Sequence, residues 1–214
     1  MKSVACYNNK GGVGKTTFAL HLALRAQVHG IKTIAVCIDR QGDLFHALSG
    51  GDQPKRDGAV AEIGSGLTVI YSPNNIPKLQ GASLVIYDCP PAIEVAAAAE
   101  PDLWLVPADG RMALTDLGNV LEEMADAGGD IWVVLNKLDT AGKRALAAAK
   151  NAVKQIPNVH VWGEPIPDSA AIKRGGEYLK PVWEVPYGKG TDGERAVVDL
   201  CDAVLVHLGL LRRR

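Results

Sequence analysis

The chain of 214 residues is 47% hydrophobic and 22% charged. That balance excludes disordered and fibrous classes, and the length fits a single domain, because one core grows to about 250 residues before chains split. The net charge is −1, from 23 Lys+Arg against 24 Asp+Glu, which excludes a protein basic all over and leaves any nucleic-acid affinity to a local patch.

Short β-branched runs alternate with helical patterns from end to end, the rhythm of a mostly parallel sheet flanked by helices. Strands are predicted at Lys2–Tyr7, Lys32–Ile38, Leu67–Tyr71, Ser83–Asp88, Asp102–Pro107 and Asp130–Asn136. The first two enclose a helix over Lys15–His29, with Phe18, Leu22 and Ala26 on one face and Gly30 at the C-cap position, which makes a βαβ unit. Further helices are predicted at Met112–Ala127, Gly142–Ile156 and Asp192–Leu208, and Gly50–Gly66, rich in glycine and charge, reads as a mobile surface loop. Cys6, Cys37, Cys89 and Cys201 lack metal-site or disulfide spacing and read as core residues, as do Trp104 and Trp132 in their strands. The histidines show no ligand spacing. No run approaches the roughly 18 apolar residues of a membrane span and no signal-peptide pattern precedes the first strand, so a soluble, cytoplasmic protein is expected.

Directly after the first strand stands Lys10-Gly11-Gly12-Val13-Gly14-Lys15-Thr16-Thr17. The strict phosphate-loop pattern, Gly-x-x-x-x-Gly-Lys-Ser/Thr, lacks its first glycine here, yet the physics of a phosphate cradle remains. Three glycines let backbone N–H groups point inward, and the following helix offers its positive end to the β-phosphate. Lys15 would reach the β- and γ-oxygens and Thr16 would ligate Mg²⁺. Leu84-Val85-Ile86-Tyr87-Asp88-Cys89-Pro90-Pro91 is an apolar strand ending in a carboxylate, the place of a Walker B aspartate that holds Mg²⁺.

The loop resembles the deviant Walker A box of the ParA/MinD family of P-loop ATPases. That resemblance implies an α/β, doubly wound fold with the first strand near the middle of the sheet, and ATP and Mg²⁺ as cofactors. It implies a signature lysine, here Lys10, that contacts the partner subunit's nucleotide, so that ATP holds a homodimer together. Cys37-Ile38-Asp39-Arg40-Gln41-Gly42 resembles the family's Asp-x-Asp-Pro-Gln-Gly box. By that likeness Asp39 orients the attacking water near the metal, while Cys37 replaces the first aspartate and Cys89 a usual threonine. Val133-Val134-Leu135-Asn136-Lys137 resembles the strand whose asparagine recognises adenine, with helix capping as the other reading of Asn136. Ile166-Pro167-Asp168-Ser169 resembles the loop over the base, which assigns Pro167 and Asp168 to the nucleotide.

No acidic residue stands between Thr140 and Gly163, and Lys143, Lys150 and Lys154 fall within about 40° on a helical wheel. With Arg144 they form a candidate DNA face, against the reading of a merely solvated surface. Lys189, Arg195 and the terminal Arg212-Arg213-Arg214 are further candidates for phosphate contacts. The family likeness then implies a partition-type ATPase. Its ATP-bound dimer holds DNA without sequence preference, and a ParB-like adaptor stimulates hydrolysis and release, segregating a plasmid or chromosome origin on the nucleoid. An operator-binding extension ahead of the first strand is not expected. The competing readings are a MinD-like membrane-cycling ATPase, a ParA-like positioner of another cargo, and a metabolic or reductase enzyme of the same superfamily. The Val204–Arg214 segment, short for a membrane helix, reads as the end of the last core helix.

Overall fold

Eight strands build one sheet in the order β3-β4-β2-β5-β1-β6-β7-β8, so the first strand lies near the middle, as expected. The computed structural model describes residues 1–109, 114–138 and 142–212. The strands are β1 (Lys2–Cys6), β2 (Thr33–Cys37), β3 (Ala59–Glu62), β4 (Leu67–Tyr71), β5 (Leu84–Asp88), β6 (Leu103–Asp109), β7 (Asp130–Asn136) and β8 (Val159–Val161). Every pairing is parallel except that of β3 with β4.

Helices α1 (Lys15–Val28), α2 (Asp43–Leu48), α3 (Ile93–Ala97), α4 (Leu114–Glu123), α5 (Gly142–Val153), α6 (Ala170–Tyr178) and α7 (Asp192–His207) cover the sheet. Because side chains alternate along a strand, the central strands are apolar on both faces and feed two cores. Val4, Leu84, Ile86 and Val134 pack with residues of α1, α2, α6 and α7. Ala5, Val85, Trp104, Val133 and Leu135 pack with residues of α3, α4 and α5. This is the doubly wound arrangement with a helix layer on each side.

Three expectations fail. The predicted helix to Ala127 stops at Glu123. The segment Gly50–Gly66 is not a free loop: Ala59–Glu62 adds an antiparallel edge strand, Ala61 level with Val69. The predicted helix to Ile156 stops at Val153. The residue before a proline is driven out of helical conformation, Pro157 follows Ile156, and Asn158 then turns with φ 59°. Lys154 therefore stands in a turn. The start of the predicted helix at Met112, Thr140, and Arg213 and Arg214 lie outside the described residues.

Other expectations of the fold hold. Gly30 closes α1 with φ 69°. All four cysteines are buried, and Trp104 is fully enclosed, its indole N–H donating to the Gly128 carbonyl at 2.9 Å. Among the described residues no helix is long and apolar enough to cross a membrane. Val204, Leu205 and Leu208 are buried in the α1/α7 core, with Leu210 and Leu211 packed against it.

Candidate nucleotide site

The site forms at the carboxyl ends of β1, β2, β5 and β7, where parallel strands of an open α/β sheet leave a crevice. The loop after β1 turns through Gly12 (φ 71°) and Gly14 (φ 113°), conformations that glycine alone adopts cheaply. It delivers Lys15 and Thr16 at the amino end of α1, where unpaired N–H groups and the helix dipole favour an anion. A cleft of about 550 Å³ opens there. Gly11, Gly12, Gly14, Lys15, Thr16, Thr17, Asp39, Asn136, Pro167 and Asp168 all line it, so the predicted phosphate, water and base residues converge on one cavity. Val13 is buried under the loop.

Asp88 ends β5 level with Cys6 on β1 and Cys37 on β2. Its carboxylate is 1% exposed, and the Thr16 hydroxyl donates to Oδ2 at 2.9 Å. The other oxygen, Oδ1, is buried with no hydrogen-bond partner. Burial pushes this carboxyl up to about 7; the Thr16 bond and the Lys15 ammonium oppose the rise, and the Asp39 charge adds to it. A buried carboxylate with one unsatisfied oxygen, beside a threonine hydroxyl, is a donor set for a hard divalent cation. Thr16, Asp88 and the cleft-lining Asp39 thus fit Mg²⁺.

Asp39 is anchored from both sides. The Ile38 N–H before it donates to the Asp88 carbonyl at 3.0 Å, and its own Oδ1 accepts from the Gln41 N–H at 3.0 Å. Cys37 is fully buried; burial pushes its thiol up to about 12. The position therefore supplies a neutral group, and Asp39 carries alone the negative charge of this box.

The two lysines of the loop part company. Lys15 is nearly buried and its Nζ donates to the Lys10 carbonyl at 2.9 Å, within the cleft. Lys10 is half-exposed and reaches outward to α4, where its Nζ lies 2.6 Å from Asp116 Oδ2. Asn9 Nδ2 donates to Glu123 Oε1 of the same helix at 3.0 Å. Sequence reasoning missed Asp116 and Glu123. Their spacing of seven residues, two helical turns, is the signal that put both on one face.

Asn136 is tied to the phosphate loop. It is 5% exposed, its Nδ2 donates to the Val13 carbonyl at 2.7 Å and its Oδ1 accepts from the Lys137 N–H at 2.9 Å. On the base side, the Asp168 N–H donates to the Leu138 carbonyl at 3.1 Å, and its carboxylate pairs with Lys173 at 2.7 Å. Ser169 caps α6 by accepting from the Ala171 N–H.

The candidate DNA-contacting residues fall on two helix layers. Arg144 and Lys150 are exposed on α5, and exposed Lys154 follows its end; the side chain of Lys143 lies outside what the structure describes. Lys189 and Arg195 belong to the opposite helix layer, at the start of α7, where Arg195 sits 3.4 Å from Asp192.

Comparison with known proteins agrees with this geometry. Residues 4–182 match the family described as CbiA, the CobQ/CobB/MinD/ParA nucleotide binding domain. Maintenance of carboxysome distribution protein A from Gloeobacter kilaueensis is 36% identical over 99 residues, which are 45% of this chain and 42% of that protein. The match thus spans less than half of that relative's length. An aspartate-to-alanine variant of Cyanothece McdA in complex with ATP is similar in structure, with a TM-score of 0.77 and 19% identity over 100% of this chain and 98% of that one. Cobyrinic acid a,c-diamide synthase from Mycobacterium smegmatis, with bound ATP analogue and magnesium, gives a TM-score of 0.69 and 19% identity over 97% and 95% of the two chains. Likenesses at this identity show the fold.

Proposed function

This chain belongs to the CobQ/CobB/MinD/ParA nucleotide-binding family, and on that premise we propose that it is a ParA-type positioning ATPase whose ATP-held homodimer binds DNA without sequence preference. It is an ATPase that uses ATP and Mg²⁺. The glycine loop and Lys15 hold the phosphates, and Thr16 and Asp88 hold Mg²⁺, which when bound neutralises charge on the transferred phosphoryl group. Asp39 orients the attacking water from the rim of the cleft, and Pro167 and Asp168 border the base. An adaptor protein stimulates hydrolysis, which dissolves the dimer and releases the DNA.

The observation that carries this reading is the direction of Lys10. A lysine meant for its own nucleotide would join Lys15 in the cleft, whereas Lys10 reaches outward to Asp116, a surface carboxylate. There it is available to the γ-phosphate of a second copy, and exchange of the Asp116 partner for that phosphate makes dimerisation depend on ATP. Doubling Lys150, Lys154 and Arg144 on one rigid body then raises DNA affinity, because affinity scales with the number of phosphates neutralised.

The cargo is a large intracellular body moved along the nucleoid. A plasmid or chromosome origin is one such cargo, and the match to a carboxysome distribution protein favours another cellular body as the second reading. Membrane cycling is disfavoured by the C-terminal leucines, which are spent in the core.

Light scattering and fluorescence anisotropy on unrelated duplexes, with ATP and with ADP, test the proposal. The expected result is a dimer that holds DNA only with ATP; tight DNA binding by an ADP-bound monomer would overturn it.

A further inference from the structure

The Asn136-Lys137 step at the end of β7 grips two consecutive carbonyls of the phosphate loop. Asn136 Nδ2 donates to the Val13 carbonyl at 2.7 Å, and Lys137 Nζ donates to the Gly12 carbonyl. In a trans peptide the N–H points opposite to the C=O. Holding these two carbonyls toward β7 therefore turns the N–H groups of Val13 and Gly14 away from β7, as a phosphate cradle requires.

Two further observations belong to the same device. A Cβ on Gly14 would come 2.5 Å from Asn136 Nδ2, so the glycine makes room for the asparagine as well as for its own φ. Lys137 takes φ 56°, a left-handed conformation that residues other than glycine rarely adopt and that persists where its surroundings over-determine it. That turn is what lets Asn136 face the loop while the next side chain reaches the same loop one carbonyl earlier. Lys137 also lies 3.9 Å from Asp109 at the end of β6, which steadies its stem.

The geometry points to Asn136 and Lys137 as positioning residues that shape the phosphate cradle. This rests on the reading of the cleft as a nucleotide site. It assigns Lys137 a role and gives Asn136 one beside base recognition, since its amide spends one N–H on the Val13 carbonyl and one oxygen lone pair on the Lys137 N–H and keeps one of each.

The test uses a ligand without a base. Affinities of the whole protein for ATP, GTP and inorganic tripolyphosphate, each with Mg²⁺, are measured by calorimetry for the parent, Asn136→Ala, Lys137→Met and Lys137→Arg. Loss of either tether weakens tripolyphosphate along with ATP and GTP, about tenfold; in Lys137→Met the ATP-to-GTP ratio is unchanged, and the loss is largely restored in Lys137→Arg, whose guanidinium also donates to a carbonyl. Variants that lose ATP while keeping tripolyphosphate, or a Lys137→Met that shifts the ATP-to-GTP ratio, overturn the proposal. Should Asn136→Ala fail to fold, the Lys137 pair decides by the same criteria. A parent that binds neither ATP nor tripolyphosphate overturns the nucleotide reading itself, and this proposal with it.

Discussion

The helix layer of α1, α2, α6 and α7 is tied to the nucleotide cleft and to itself, whereas the layer of α3, α4 and α5, among the described residues, meets the phosphate loop through side chains on α4. In the first layer Thr16 bonds Asp88. Arg25 makes a bidentate pair with Asp202, at 2.7 and 2.6 Å, that staples α1 to α7 with His29 on the same carboxylate. His21, buried, donates from Nδ1 to the Thr17 carbonyl at 2.7 Å and accepts at Nε2 from the Val182 N–H at 3.0 Å. In the second layer Asp116 and Glu123 hold the outer end of the phosphate loop through Lys10 and Asn9, and α5 carries exposed Arg144 and Lys150. The difference teaches how the two faces of one sheet serve the same loop differently. The packed layer supplies Lys15 and Thr16 to the cleft from the start of α1, and the second layer meets the loop through the half-exposed Lys10–Asp116 ion pair and the Asn9–Glu123 hydrogen bond.

The sharpest attempt to break that comparison acts on the packed layer. Lys15→Ala removes a nearly buried cation from the phosphates, and loss of one partner of a buried charge pair costs about 3–5 kcal/mol. Calorimetry is expected to find ATP binding abolished at micromolar protein with the fold intact; unchanged affinity would remove Lys15 from the phosphate site. Asp39→Ala separates holding from turnover. It should bind ATP, accumulate as a dimer and hydrolyse about 10²–10⁴-fold more slowly, as read by phosphate release and light scattering together.

The pH dependence of His21 measures the packed layer directly. Burial lowers this imidazole from 6.5 to about 4, the Thr17 bond partly opposing. The unfolded chain therefore binds the proton first as pH falls, so the stability that neutral His21 contributes is complete above pH 6.5. It is lost progressively between 6.5 and about 4, some 3 kcal/mol at about 1.4 kcal/mol per unit. Urea unfolding of the parent and of His21→Gln across that window should differ by this amount, and parallel curves would show that the imidazole is not held neutral.

The second layer is tested by charge. Lys10→Ala should bind ATP and fail to dimerise, and a variant that dimerises and turns over like the parent would end the idea of a lysine acting on the other subunit's nucleotide. The smallest expected effect compares the two layers: Lys150→Glu with Lys154→Glu should lower DNA affinity about tenfold and flatten its salt dependence, each lost phosphate contact removing about 0.9 from the slope. ATP-dependent dimerisation should survive. If Lys189→Glu with Arg195→Glu has that effect instead, the DNA face lies on the packed layer.

The sequence by itself determined the central strands, the phosphate loop and the Walker B carboxylate, because these depend on local chemistry. A strand buried on both faces reads as an unbroken apolar run, and a glycine loop followed by Lys-Thr at a helix start has its meaning within eight residues. Edge strands and interrupted helices were illegible for the same reason. Ala59–Glu62 and Val159–Val161 are too short for periodicity, and Gly175 and Gly176 break the pattern inside α6. Only the tertiary structure decided where the charged and polar ends go. Lys10 meets Asp116 across 106 residues and Asn136 meets Val13 across 123. The basic residues named as candidates for DNA divide between two helix layers because a sheet stands between α5 and α7. Apolar patterning repeats along the chain and is legible there, whereas the partner of a single polar group is set by which distant backbone the packed sheet brings within hydrogen-bond reach.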